Sequence, residues 1–302
     1  MIVLAALMCM PLCAQKTSEE YLSRYNMLVN RLGPAGVGIE TLISRWEADF
    51  PDDEGMLLAK FSYYFSKCMT SQVVKKDQKK FMGKAPLISL DDSLGVKNNF
   101  FEEVFFDDSL YAIANQALDK AIREYPDDLD LRLSKVSSLI AYEKESPDMA
   151  TQTVISLVDY NYTSKPKWIQ GGESVDAESF AQSIQEFCYT FYAIGSASSM
   201  ESFRKISEKM LSYNPKECQY LDNLGTYHLI ARNDNKTALK YYTKALKLNP
   251  DDYTAIKNSV LIATRDKNVK LEKKYLPLLV KNGLEESERR SAQARLDALN
   301  AR

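Results

Sequence analysis

A short motif recurs four times along this chain and limits what the chain can fold into. In each copy, a proline followed by two polar residues closes a segment with helically spaced apolar residues: Phe50-Pro51-Asp52-Asp53, Tyr125-Pro126-Asp127-Asp128, Asn214-Pro215-Lys216-Glu217 and Asn249-Pro250-Asp251-Asp252. Proline ends a helix because it lacks an amide hydrogen and clashes with the preceding turn. Acidic residues just after it favour a new helix, because they meet the positive end of the helix dipole. The motif therefore predicts helices that stop and restart at fixed points.

Two of the segments that precede these prolines share the same pattern of side-chain sizes. Ala114, Leu118 and Ala121 stand at the same distances before Pro126 as Ala238, Tyr242 and Ala245 stand before Pro250. In the helix before Ala238, Gly225 is also small. Small residues at facing positions let two helices approach closely, with Tyr242 filling the space beside them. This spacing predicts a tightly packed helical hairpin.

The stretch from Leu221 to Pro250 resembles a tetratricopeptide repeat, a helix–turn–helix unit. Leu224 and Gly225 match the Leu-Gly pair of the family pattern, while Leu221 stands in place of its Trp and His228 in place of its Tyr. The second helix and its end match at four positions: Ala238, Tyr242, Ala245 and Pro250. The resemblance implies an α-solenoid of stacked hairpins whose concave groove binds a protein or peptide.

The resemblance also implies candidate groove residues. In family members that bind peptide termini, an Asn in the first helix of a hairpin can face the groove. Asn223 and Asn258 each lie eight residues after a repeat's proline, and Thr226 and Lys257 are the neighbouring candidates. The basic residues of a carboxylate-binding clamp are only partly present, since Lys257 adjoins Asn258 but Asp222 adjoins Asn223.

Hydrophobic periodicity predicts paired helices in an all-α domain covering residues 15–302, with a charged capping helix within 284–302. The predicted helices are Ser18–Arg31, Gly38–Phe50, Glu54–Met69, Ser109–Tyr125, Leu129–Glu143, Asp148–Tyr160, Ala177–Ile194, Met200–Tyr213, Glu217–Ala231, Lys236–Leu248, Tyr253–Thr264, Val269–Lys281 and Leu284–Leu299. No alternating run of any length predicts a strand in the helical array.

Residues 71–108 form a long insertion in the predicted array. They are too aromatic for a solvated linker, with phenylalanines at positions 100, 101, 105 and 106. Leu87–Leu90 followed by Asp91–Gly95 is typical of a short hairpin. We expect the phenylalanines to pack back against the early hairpins, near Tyr63 and Tyr64. A second break, Asn161–Val175, contains Trp168 and is expected to be a loop.

The first 14 residues, MIVLAALMCMPLCA, are apolar and uncharged. They are too short to span a bilayer and resemble the hydrophobic region of a signal peptide, with cleavage expected after Ala14. The alternative is a buried N-terminal helix. Cleavage would leave an odd number of cysteines, Cys68, Cys188 and Cys218, which we expect to be small core residues. An exported, periplasmic or envelope-associated protein with no integral membrane segment in its mature chain is predicted.

Residues that could carry chemistry are few. His228 is the only histidine, so His-based metal clusters are excluded, and at its repeat position we expect a core imidazole. Asp91 and Asp92 lack the alternating ligand spacing of a calcium loop, and no Gly-rich phosphate loop is present. The net charge of −2 gives no pull toward nucleic acid. We therefore expect no catalytic, metal or cofactor site.

Three functions remain open at this point. The first is a non-enzymatic exported scaffold that binds a protein or peptide. The second is an envelope glycan-binding accessory protein, which the 18 tyrosines and an exposed Trp168 would suit. The third is a hydrolase that uses acidic residues of the 71–108 insertion, such as Glu102, Glu103, Asp107 and Asp108. Aromatic residues clustered on one surface would favour the second, and a desolvated carboxylate pair in a pocket would favour the third.

Overall fold

The structure, a computed structural model, describes residues 17–301. These residues are mostly helical and form two compact units. The first comprises the described residues up to Gln72 together with Glu103–Leu131, and the second comprises Val73–Glu102 together with the described residues from Arg132 onward. The predominance of helices confirms the all-α prediction at this coarse level.

The described part of the chain contains thirteen helices. Their bounds agree with the predicted ones to within a few residues, and the ends of α5 and α7 coincide with them. The helices are α1 (Ser18–Leu32), α2 (Ile39–Asp49), α3 (Glu54–Lys67), α4 (Asp108–Glu124), α5 (Leu129–Glu143), α6 (Asp148–Ser164), α7 (Ala177–Ile194), α8 (Ala197–Tyr213), α9 (Cys218–Ile230), α10 (Asn235–Leu248), α11 (Tyr253–Arg265), α12 (Val269–Asn282) and α13 (Glu286–Asn300).

The four proline motifs share one geometry at the helix ends that precede them. The residue before each proline leaves the helical region with ψ between 68° and 96°, as a residue before proline must. Its amide still donates to the carbonyl four residues back. The motif therefore ends the helix without leaving that amide unpaired.

In three copies the second polar residue then starts the next helix. The Oδ1 atoms of Asp53, Asp128 and Asp252 accept the amide of the residue three positions ahead, at 2.9, 3.0 and 3.0 Å. Glu217, in the fourth copy, makes no such side-chain bond. An N-cap of this kind is worth about 1 kcal/mol. The motif is thus a combined helix stop and helix start.

The core of the first unit joins α1 to α4. Tyr21 stacks on Trp46 with ring centroids 5.8 Å apart, and Trp46 donates from Nε1 to Oγ of Ser18 at 3.0 Å. Of the repeat-packing residues in this unit, Ala114, Leu118 and Ala121 are all fully buried, whereas Pro126 is exposed. The small side chains of α4 therefore face inward, where α3 contacts that helix.

In the second unit, each helix from α7 to α13 contacts the next one in the chain. Between α9 and α10, a Cβ placed on Gly225 would lie 2.5 Å from Cε1 of Tyr242, so only glycine fits there. Most repeat-packing residues here are buried: Leu221, Leu224, Gly225, Ala238, Tyr242 and Ala245. Pro250 is exposed, and His228 is only half-buried.

The insertion differs from the prediction, because it contains a three-stranded sheet. Its strands are β1 (Met69–Lys76), β2 (Ile88–Asp91) and β3 (Lys97–Phe106), in the order β1-β3-β2. The predicted hairpin is confirmed, since β2 pairs antiparallel with β3. At its tip, Oδ1 of Asp92 accepts the amides of Leu94 and Val96, both at 2.9 Å. Strand β1 was not predicted, and the sheet lies in the insertion that the sequence analysis separated from the helical array.

The phenylalanines of the insertion do not pack as one cluster. In the second unit, buried Phe101 lies edge-on to Phe81 at 6.0 Å. In the first unit, Phe106 contacts Phe65 and Tyr111, at 6.0 and 5.7 Å. Phe105 is exposed. Alternation along β3 sends successive side chains to opposite faces, which separates neighbours in sequence.

The second predicted break holds two short strands, β4 (Ile169–Gln170) and β5 (Glu173–Ser174). Gly171 and Gly172 join them with positive φ angles of 56° and 84°, as a two-residue hairpin turn requires. Next to β4, Trp168 is 4% exposed, stacks on Phe180 and donates from Nε1 to Oδ1 of Asn161 at 2.8 Å. The expectation of an exposed Trp168 was wrong.

Candidate functional site

Two adjoining clefts lie on one face of the second unit. The larger has a volume of about 680 Å³ and the smaller about 300 Å³. Both are lined by α7, α9 and α11, and they share Gln219, Asp222 and Thr254. Together they form a continuous depression, here called the groove, which runs over the first helices of three predicted hairpins.

Three of the four predicted groove residues line the smaller cleft: Asn223, Thr226 and Asn258. The fourth, Lys257, lines neither cleft. Its Nζ donates to the Tyr253 hydroxyl at 2.8 Å and pairs with Glu288 at 3.1 Å. Lys257 is therefore engaged beside the groove and does not line it.

The asparagine amides hold the floor of the groove together. Asn223 is 6% exposed and exchanges two hydrogen bonds with Gln185 of α7, at 2.8 and 3.1 Å. It also donates to Ser207 of α8 at 3.1 Å. Asn258 and Thr226 both bond the Tyr242 hydroxyl. These side chains position α7 to α11, and their bonding capacity is largely used within the protein.

The rim of the smaller cleft is apolar. Tyr189, Tyr192, Ile230 and Leu261 are each between 41% and 56% exposed, and all four line this one cleft. Single exposed apolar residues are common on protein surfaces, but a contiguous group rimmed by polar residues marks an interaction site. The groove thus offers an apolar surface to a ligand.

Asp222 is the polar group of the groove that sequence reasoning missed. It is 6% exposed, lines both clefts and shares a side-chain hydrogen bond with Asp252, but its buried Oδ1 atom has no other partner among the described residues. Burial, reinforced by the nearby Asp252 carboxylate, raises the pKa of Asp222 from 3.8 to about 9. Asp222 is therefore protonated at neutral pH in the free protein.

The larger cleft is acidic. Besides Asp222 it is lined by four carboxylates, those of Glu178, Glu217, Asp251 and Asp252. Among the ion pairs of residues 17–301, only Asp251 of this group has a basic partner, Lys281, at 2.8 Å. Of the residues that line either cleft, none is Lys, Arg or His. The groove therefore has an acidic end and an apolar end, with Asp222 where the two meet.

The other residues considered for chemistry lie outside this arrangement. His228 stacks on Tyr241 at 5.5 Å, burial lowers its pKa, and its Nδ1 atom has no partner. Asp107 caps α4 by accepting the Leu110 amide at 3.0 Å. Cys68, Cys188 and Cys218 are free, and burial raises the pKa of each thiol. Within residues 17–301, no three His, Cys, Asp or Glu side chains are grouped to hold a metal.

No model of a protein family matches the sequence, and no curated protein aligns with it significantly. None of the helices in residues 17–301 is long and apolar enough to cross a membrane. The predicted signal segment lies outside the described residues.

Proposed function

We propose that this chain is a non-enzymatic, exported scaffold of the tetratricopeptide type that binds a protein or peptide segment in the groove of α7, α9 and α11. The observation that carries the proposal is the grouping of four exposed apolar side chains on the rim of one cleft: Tyr189, Tyr192, Ile230 and Leu261. An extended segment of a partner could bury these side chains without any change in the helices beneath them.

Two further features support the tetratricopeptide assignment within this proposal. The close approach of Gly225 to Tyr242 places a small and a large residue where the family pattern has them. The groove is lined by the first helices of successive hairpins, and that face is the one the resemblance implies for ligand binding. Fold-level likeness alone does not define a function, so the proposal depends on the groove.

A hydrolase is the second candidate, because Asp222 and Asp252 form a partly desolvated carboxylate pair in a cleft. A protonated acid beside an ionised one is an arrangement used in acid–base catalysis. However, Asp252 also caps α11 by accepting the Ala255 amide, which fixes its carboxylate for a structural purpose. The pair also lies outside the insertion to which the sequence assigned this role. Binding therefore accounts for the groove better.

Site-specific photocrosslinking tests the scaffold proposal. We expect p-benzoylphenylalanine in place of Tyr192 or Leu261 to crosslink to the same partner in an envelope fraction. The matched control is the same replacement of Val269, which is 45% exposed and lines neither cleft. Equal crosslinking from all three positions, or no crosslink from either groove position, would contradict binding in the groove.

Export is tested by the mass of the intact protein. We expect cleavage after Ala14, so that the mature chain begins at Gln15, because residues 1–14 form an apolar segment of signal-peptide length. Mass spectrometry of the protein from an envelope or secreted fraction measures this mass directly. A chain that retains Met1 in the cytoplasm would refute export and, with it, an envelope partner.

A further inference from the structure

The charge distribution of the groove limits which charged groups its ligand can carry. Five carboxyl groups line the larger cleft, and in the part of the chain that the structure describes only Asp251 among them pairs with a basic residue. A carboxylate-bearing ligand would meet repulsion from Glu178, Glu217 and Asp252. A cationic ligand would meet complementary charge, and such complementarity determines specificity more than total affinity.

A second, independent feature identifies where a cation would bind. Asp222 is more than nine-tenths buried, and its Oδ1 atom lacks a partner while the residue lines both clefts. A buried acceptor with no partner costs free energy that a ligand donor can recover. Asp222 thus places a carboxyl group with one unused acceptor at the junction of the acidic and apolar ends.

We propose that the groove binds an extended peptide segment carrying a lysine or arginine, with its cationic group against Asp222 and a nearby apolar side chain between Tyr189, Tyr192 and Leu261. The inference rests on the proposed scaffold function and specifies the partner of that same groove. The apolar end favours a peptide over a small polyamine, which has no side chain to place there.

Two positions on α9 set the expected spacing between the basic residue and the apolar residue of the ligand. Asp222 and Ile230 mark the acidic and apolar ends on this helix, eight residues apart, or about 12 Å at 1.5 Å per residue. An extended peptide rises about 3.3–3.6 Å per residue. The basic and apolar residues of the ligand are therefore expected about three or four positions apart.

Binding of a cation should change the number of protons bound to the protein, and this change can be measured. The groups facing Asp222 are Asp252 at the start of α11, Glu217 and Cys218 at the start of α9, and Tyr242 of α10. None carries positive charge, so the free protein keeps Asp222 protonated. A bound ammonium or guanidinium group favours the carboxylate. Complex formation near pH 7 should therefore release a proton, and affinity should rise with pH.

A set of matched synthetic peptides tests the inference. Each is nine residues long, blocked at both ends, and built of alanine, serine and glycine with one leucine. The peptides differ at one position, which carries lysine, glutamine or glutamate. This position lies three or four residues before or after the leucine. Fluorescence anisotropy and titration calorimetry in buffers of different ionisation enthalpy measure affinity and proton release. We expect the lysine peptides to bind about tenfold more tightly than the glutamate peptides and to release close to one proton.

Two variants separate the role of Asp222 from general electrostatics. Asp222→Asn keeps the shape of the side chain. It should abolish the proton release and reduce the preference for lysine, part of which Glu178, Glu217 and Asp252 maintain. Glu286→Gln makes the same acid-to-amide replacement on α13, where Glu286 is exposed and pairs with Arg290, and should change neither. Circular dichroism confirms that both variants are folded.

The possible outcomes distinguish the inference from the function beneath it. Equal affinity for lysine and glutamate peptides would overturn the cationic ligand. An unchanged lysine preference in Asp222→Asn would overturn the placement of the cationic group against Asp222. Spermidine that competes as well as the lysine peptide would overturn the peptide as the occupant, because spermidine has no side chain to place at the apolar end. If groove crosslinks to a partner are still found in those cases, the scaffold function stands with a different ligand chemistry. If they are absent, both proposals fail.

Discussion

Replacing Gly225 by alanine is expected to destabilise the second unit by about 1–3 kcal/mol, although alanine is the better helix former. The new Cβ would lie 2.5 Å from Cε1 and 2.8 Å from Cδ1 of Tyr242. That ring is fully buried and its hydroxyl is bonded to Thr226, so it has little room to move. Unfolding by urea measures the loss. Gly225→Leu and Ala238→Leu should also destabilise the hairpin by overpacking.

A double-mutant cycle shows whether the tyrosine ring causes the effect. Tyr242→Leu removes the ring atoms that approach Gly225, at the expense of buried contacts. If the clash is the source, Gly225→Ala should cost less in the Tyr242→Leu background than in the wild type. Equal losses of stability in both backgrounds would mean that the Tyr242 ring does not cause the destabilisation. An undiminished stability of Gly225→Ala in the wild-type background would contradict the tight α9–α10 hairpin.

The helix bounds could be predicted because their signals are local. Each proline motif ends one helix through the conformation forced on the preceding residue, and in three copies it starts the next through an aspartate cap. Both effects act within a few residues of the proline. The close approach at Gly225 was also predicted, because a small residue and a large residue at the spacing of the repeat can be recognised in the sequence.

Strand β1 of the sheet could not be predicted from such signals, because its partner β3 is distant in the sequence. The residues of β1 are mostly exposed and carry no clear alternation, so their strand conformation depends on β3, which begins more than twenty residues later. A pairing of this kind is a tertiary effect that overrides weak local preference.

Asp222 was missed for the same reason. In the sequence it is one acidic residue beside Asn223, and acidic residues are mostly exposed. Its burial, and its approach to Asp252 thirty residues further along the chain, arise only when the helices pack together. The local pattern located the groove through Asn223, Thr226 and Asn258, but the group with an unused acceptor is visible only in three dimensions.

Asp222→Asn is expected to stabilise the protein at pH 8 by on the order of 2–5 kcal/mol and to change its stability little at pH 4. Burial and then Asp252 raise the pKa of Asp222 from 3.8 to about 9 in the folded chain. Between these values the unfolded chain has lost the proton that the folded chain keeps. The wild-type free energy of unfolding therefore falls as pH rises, whereas asparagine has no proton to lose and can still donate to Asp252.

Asp251→Asn is the matched control, because it removes a carboxylate from the same cleft whose pKa Lys281 and Asn282 hold low. It should give no stabilisation at pH 8. Melting temperatures of both variants and the wild type from pH 4 to pH 9 measure the difference. Other titrating groups contribute equally to the wild type and the variants, so their contributions cancel in the difference. One of them is Glu54, whose pKa is raised by burial to about 6. A gain from Asp222→Asn that is the same at pH 4 and pH 8 would mean that Asp222 ionises normally, and the binding of a cation would then release no proton from it.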